Sequence, residues 1–96
     1  MVELRWTDEA AVSLKDVHDH IARDRPATAR RTVESIISRA ESLIEYPTLG
    51  QRHPYSPERT VRVLTLGQFQ IAYLVEDDRS ISILGVFHGL IFLPLK

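Results

Sequence analysis

Apolar and polar positions alternate at the start of the chain, then fall into two helical repeats, then give way to apolar-rich runs separated by short turns. Leu4 and Trp6 alternate with Glu3 and Arg5, which predicts a short strand over residues 2–6. Thr7 follows as an N-cap, with a hydroxyl that accepts from a free backbone N–H, and Asp8 and Glu9 complement the positive end of a helix. Ala10, Leu14, Val17 and Ile21 recur at intervals of four, three and four, which is one helical face. This helix is expected to end near residues 23–25, because the residue before Pro26 is pushed out of helical geometry. Pro26 fits the first turn of a second helix, where its missing N–H costs nothing. In that helix Val33, Ile36, Ile37, Ala40, Leu43 and Ile44 form an apolar stripe, the strongest periodic signal in the chain. It is expected to stop at Tyr46-Pro47, with Gly50 just beyond.

The join between the helices is short, so they are expected to be antiparallel neighbours. Residues 47–58 contain Pro47, Gly50, Pro54 and Pro57 and read as an irregular loop. Three strands are predicted at 61–66, 69–75 and 80–87, joined by Gly67-Gln68 and by Glu76-Asp77-Asp78-Arg79. Consecutive strands so tightly joined form an antiparallel meander, with one face left for the helix pair. The expected fold is therefore α+β: a short N-terminal strand and a two-helix hairpin on a three- to four-stranded antiparallel sheet. Without repeats, low-complexity segments or linkers, residues 1–96 read as one domain. The tail is unusual. Leu90, Ile91, Phe92, Leu93 and Leu95 place five large apolar groups in six positions. Such a run either folds back as core or edge strand, or serves as a surface for a partner chain.

Charge and composition narrow the function. Twelve basic and 13 acidic side chains give a net charge of −1, which argues against gripping nucleic acid as a main task. The absence of cysteine points to a reducing compartment and rules out thiolate zinc sites. The first residues have no apolar core of a secretory signal, and the apolar tail is too short to cross a bilayer, so a cytoplasmic location is expected.

The usual catalytic constellations are missing. His18 and His20 stand two apart on a helix and so point to different faces, where they cannot share a metal. His53 reads as a solvated loop residue, and His88 ends the last strand, where a structural hydrogen bond is the plain reading. Asp16 and Asp19 share a helix face open to solvent, and Asp77-Asp78 forms a turn tip. There is no nucleophile elbow, phosphate-cradling glycine loop or metal-binding HExxH helix. Neither metal nor cofactor is expected. The basic residues are more informative, since ten of the twelve are arginine. Arg52, Arg59 and Arg62 gather on the loop and the strand after it, while residues 7–24 hold five acids and two bases. Arginine suits bidentate contact with carboxylate or phosphate, although a solvated surface would accommodate the same charges.

Order and spacing together resemble the RelE/ParE toxin superfamily. Leu4-Arg5-Trp6-Thr7-Asp8-Glu9-Ala10 resembles its opening strand, polar cap and Ala-led helix. Tyr46-Pro47-Thr48-Leu49-Gly50 is similar to its P-x-L-G exit from the second helix. Residues 62–64 and 67–73 look like its R-x-L-x-x-G-x-Y-x-I-x-Y strand pair, and residues 81–88 resemble its closing V-x-I-L-x-V-x-H. The resemblance implies a toxin of a type II toxin–antitoxin pair, held inactive by a ParD-like protein antitoxin. RelE-like members cleave mRNA in the ribosome, whereas ParE-like members poison DNA gyrase and have no established nuclease residues. RelE-like members typically carry an arginine three residues before the strand tyrosine, where this chain has Gln70. Such an arginine serves to stabilise charge on a phosphoryl group. The basic C-terminal segment is also absent, because Gly89-Leu90-Ile91-Phe92-Leu93 follows His88. These departures favour the ParE-like branch, although ParE-like members often have a basic residue in place of Gly85 and a polar tail. On that branch Arg52, Arg59, Arg62, Leu90, Ile91, Phe92 and Leu93 are the expected partner-binding residues. On the nuclease alternative His88 would be the acid or base, with Arg59 and Arg62 holding phosphate. A non-toxic interaction domain of the same fold is the third reading.

Overall fold

Thr7 shows how local chemistry fixes the architecture. Its Oγ1 accepts from the Ala10 N–H at 3.1 Å and donates to the Ile83 carbonyl at 2.8 Å. One side chain thus caps a helix and ties it to the sheet. In the computed structural model, which describes residues 2–52 and 61–89, strand β1 (Leu4–Trp6) leads into helix α1 (Asp8–Ala22) and helix α2 (Pro26–Glu45). Strands β2 (Gln51–Arg52), β3 (Val61–Leu66), β4 (Phe69–Val75) and β5 (Ile81–His88) follow. The sheet order is β1-β5-β4-β3-β2. β2, β3, β4 and β5 pair antiparallel in turn, and β1 runs parallel to β5.

This is the expected α+β class, with a five-stranded sheet in place of three or four strands. The fifth strand, β2, lies inside the segment read as loop. Two residues are too few to carry an alternation signal, and only pairing with Arg62 and Val63 makes them a strand. Pro26 starts α2 and Tyr46 closes it, both as the sequence predicts. The apolar stripe of α2 divides, however. Ile36, Ala40 and Leu43 are fully buried against the sheet, while Ile37 and Ile44 remain 36% and 43% exposed.

The core lies between the helices and one sheet face. It gathers Ala10, Ile36, Leu64, Ile71, Tyr73 and Ile83, among others. Cross-strand register places Leu64 opposite Ile71 and Arg62 opposite Tyr73, so these side chains share the helix-covered face. On β5 an extra residue, Leu84, interrupts the ladder, since Ala72 pairs with Gly85 and Tyr73 with Ile83. Beside this bulge Ser13 of α1 accepts from the Val86 N–H at 2.9 Å and donates to the Ala10 carbonyl at 2.9 Å. The helix hydroxyl thereby satisfies a strand amide and fixes how α1 sits on β5.

Candidate functional site

The exit from α2 is locked to the sheet by one buried phenol. Tyr73 is fully buried. Its hydroxyl donates to the Pro47 carbonyl and accepts from the Gly50 N–H, both at 2.8 Å. Arg62, opposite Tyr73 on β3, donates through Nη1 to the Gly50 carbonyl at 2.7 Å. Both backbone groups of Gly50 are thereby used. A Cβ at Gly50 would lie 2.7 Å from Tyr73 Cε1 and 2.9 Å from the Val63 carbonyl carbon, so only glycine permits this approach. Burial pushes the Tyr73 phenol above its ordinary range, partly offset by the Gly50 N–H and the Arg62 charge.

Arg62 is thus a half-buried anchor for the loop rather than a free cation. Arg52 is its register partner on β2 and is exposed. Of the three arginines, Arg52 and Arg62 are neighbours across β2 and β3, while Arg59, His53 and residues 90–93 lie outside the described residues. His88 is exposed at the far end of the same sheet face, with Nε2 3.2 Å from Gln68 Oε1 and its ring 5.1 Å from that of Phe69. Its register partner is Phe69, four residues along β4 from the partner of Arg62, or ~13 Å in the strand direction. His88 and Arg62 thus stand at opposite ends of this face. Gln70 lies opposite Thr65 and Phe87, so it points to the face away from the helices. Among the described residues no group of three histidines or acids is placed to hold a metal.

Two surfaces were not legible as sites in the sequence. Trp6, Ala11, Leu14, Val33 and Ile37, with Lys15 and His18 at the rim, line an apolar groove of about 410 Å³ between the helices. Its signal is the excess width of the α2 stripe, which supplies more apolar residues than one sheet contact can use. On the other side of α2, Thr28, Arg31, Thr32, Ser35, Ser38, Arg39 and Ser42 line a polar cleft against Leu66 and the Gly67-Gln68 turn. Thr28, Thr32, Ser35, Arg39 and Ser42 recur at spacings of four, three, four and three, a hydrophilic stripe that a search for apolar periodicity passes over.

A family model described as the ParE toxin of the type II toxin–antitoxin system parDE matches residues 4–90. The fold is similar to that of a chromosomal ParDE toxin–antitoxin system from P. aeruginosa, with a TM-score of 0.77 and 28% identity, covering 93% of this chain and 97% of that one. It also matches the toxin–antitoxin complex RelBE2 from Mycobacterium tuberculosis, with a TM-score of 0.63 and 20% identity over 91% of this chain and 96% of that one. The isolated E. coli RelE toxin gives a TM-score of 0.63 at 13% identity, over 95% of this chain and 87% of that one. A comparison with curated proteins gives no match. With nearly the whole chain matched in sequence and the same arrangement of helices and strands, the protein belongs to the ParE toxin family of type II toxin–antitoxin systems.

Proposed function

We propose that this toxin acts in the cytoplasm as a gyrase-directed inhibitor, arrests growth by poisoning DNA gyrase, and is neutralised by a ParD-like antitoxin. The observation that carries the reading is the dispersal of the residues a nuclease of this fold would need. Arg62 is committed to the Gly50 carbonyl, His88 stands at the far end of the sheet, and a neutral Gln70 replaces the expected arginine. Phosphoryl transfer needs positive charge assembled around one phosphate, and this arrangement does not assemble it. Protein binding needs no such focus. Exposed Arg52, together with Arg59 and the apolar residues 90–93, is assigned to contact with protein partners, and an amphipathic antitoxin helix suits the groove between α1 and α2.

The test is an SOS (DNA-damage) reporter in cells expressing the chain without its antitoxin, with growth followed in parallel. A rising reporter with arrested growth is the expected result, because a poisoned gyrase leaves broken DNA. Arrest with a silent reporter would replace this reading by mRNA cleavage and make His88 the first residue to substitute.

A further inference from the structure

The polar cleft along α2 carries two arginines, Arg31 and Arg39, against one acid, Glu34. Its two adjoining parts, about 560 Å³ and 390 Å³, share Arg31, Ser35 and Leu66. Arg39 is half-buried, and its Nε is fully enclosed without a hydrogen-bond partner among the described residues. A buried guanidinium N–H left unpaired is costly, so Arg39 is an arginine whose hydrogen-bonding capacity the described residues leave partly unused. Arg31 makes only a long contact, 3.4 Å, to Thr28 Oγ1. The hydroxyls of Thr32, Ser35 and Ser38 make no hydrogen bond within the described structure. The one acid on the rim, Glu34, faces Arg30 at 4.0 Å and is well exposed. The cleft therefore offers two cations and several hydroxyl donors over a floor made by Leu66, with one acid at the edge.

We propose that this cleft binds an extended acidic peptide segment of a partner protein, with one carboxylate on Arg31 and a second on Arg39. Peptide is favoured over nucleic acid because two arginines on a chain of net charge −1 are too few for a phosphate track. Arginine also pairs with carboxylates through two parallel hydrogen bonds. The geometry sets the spacing. Eight residues of helix separate Arg31 from Arg39 by ~12 Å. Two acids four positions apart on an extended strand span ~13 Å. Lined from Thr28 to Ser42, the cleft is ~21 Å long and accommodates about six extended residues. The small serines and threonines let a peptide backbone come close to the helix, and their hydroxyls meet its carbonyls. The site lies on the opposite side of α2 from the apolar groove and does not depend on which target the toxin has.

The experiment is a titration of the purified, 15N-labelled chain with a seven-residue peptide that carries two glutamates four positions apart. Saturable amide shifts confined to residues 28–42 and the 67–68 turn are expected. Arg31→Gln and Arg39→Gln should each weaken binding about tenfold, the loss of one charge-assisted contact. Moving the two glutamates to adjacent positions should weaken it as much, and Arg79→Gln should change nothing. The spacing control separates this geometry from mere attraction of acid to base. Equal binding of the adjacent-glutamate peptide would overturn the proposal. So would tighter binding of a hexathymidylate to the same residues, concentration-dependent shifts without peptide that mark a second copy in the cleft, or no shift with the peptide at millimolar concentration.

Discussion

Tyr73 shows at the level of a single residue how distant parts of the chain depend on one another. Its hydroxyl completes the Pro47 carbonyl and the Gly50 N–H. Tyr73→Phe keeps the ring in the core and strands both groups, at a cost of ~1–3 kcal/mol. Urea unfolding should show that loss as a lower midpoint with an unchanged slope. The phenol also sets a pH limit. Its folded value is raised above the ordinary 10.0 by burial. The stabilisation is therefore fully present below about pH 10 and is lost as pH climbs through the raised folded value. Melting between pH 8 and 11.5 should show a steeper alkaline decline for the parent chain than for Tyr73→Phe. Little of this was legible in sequence. Gly50 reads there as a residue just beyond the helix stop at Tyr46-Pro47, and Arg62 as a partner-binding or phosphate-holding arginine. Their actual roles depend on a tyrosine 23 positions from Gly50 along the chain, and only the fold brings it there.

At the level of elements, the turns decide how closely the strands follow the pattern. Gly67 has φ of +57° and Gln68 does not share the positive φ, as a two-residue hairpin with glycine first requires. The β4–β5 connection is less well matched. The Glu76 N–H donates to the Ser80 carbonyl, and Arg79 adopts φ of +72°, the left-handed position usually filled by glycine. Asp78 compensates in part, since its Oδ1 accepts from the Ser80 N–H at 2.9 Å, which holds its carboxyl below the usual range. Arg79→Gly should relieve the backbone and give back part of that gain as unfolded-state entropy, for a net stabilisation of ~0.5–1 kcal/mol. The check is a rise in urea midpoint, with loss of stability sinking the assignment. The hairpin strands were legible because each is a run of six or seven residues rich in β-branched, aromatic and other apolar side chains, and Gly67-Gln68 marks the turn between them. The bulge at Leu84 was not, because an extra residue in one strand shows only against its partner. Nor was the parallel placement of β1 beside β5, which rests on contacts such as the Ile81 N–H to the Glu3 carbonyl at 2.8 Å.

Among the described residues, the helix hairpin leaves apolar side chains on its outside. Ile36, Ala40 and Leu43 fill the core from α2, while half-buried Val33 and exposed Ile37 line the surface between the helices. They lie with Trp6 and Leu14 in a groove whose wall is almost wholly apolar. An apolar surface of this kind on a small protein marks a place for a partner. In a toxin–antitoxin pair the antitoxin is the partner such a groove would accept, through an amphipathic helix. Ile37→Glu tests that assignment, because Ile37 is 36% exposed and a charge there can stay in water. The folded state should lose no more than ~0.5 kcal/mol. Antitoxin binding should weaken tenfold or more, since a glutamate would be carried into an apolar contact, a cost of at least ~1.4 kcal/mol. Calorimetry with the antitoxin would measure the affinity, and growth of cells expressing both proteins would report whether neutralisation survives. Unchanged affinity with unchanged stability would place the antitoxin on another surface, such as the short edge strands β1 and β2. The tenfold loss, with stability held, would show that the residues left over from the core are the ones the antitoxin covers.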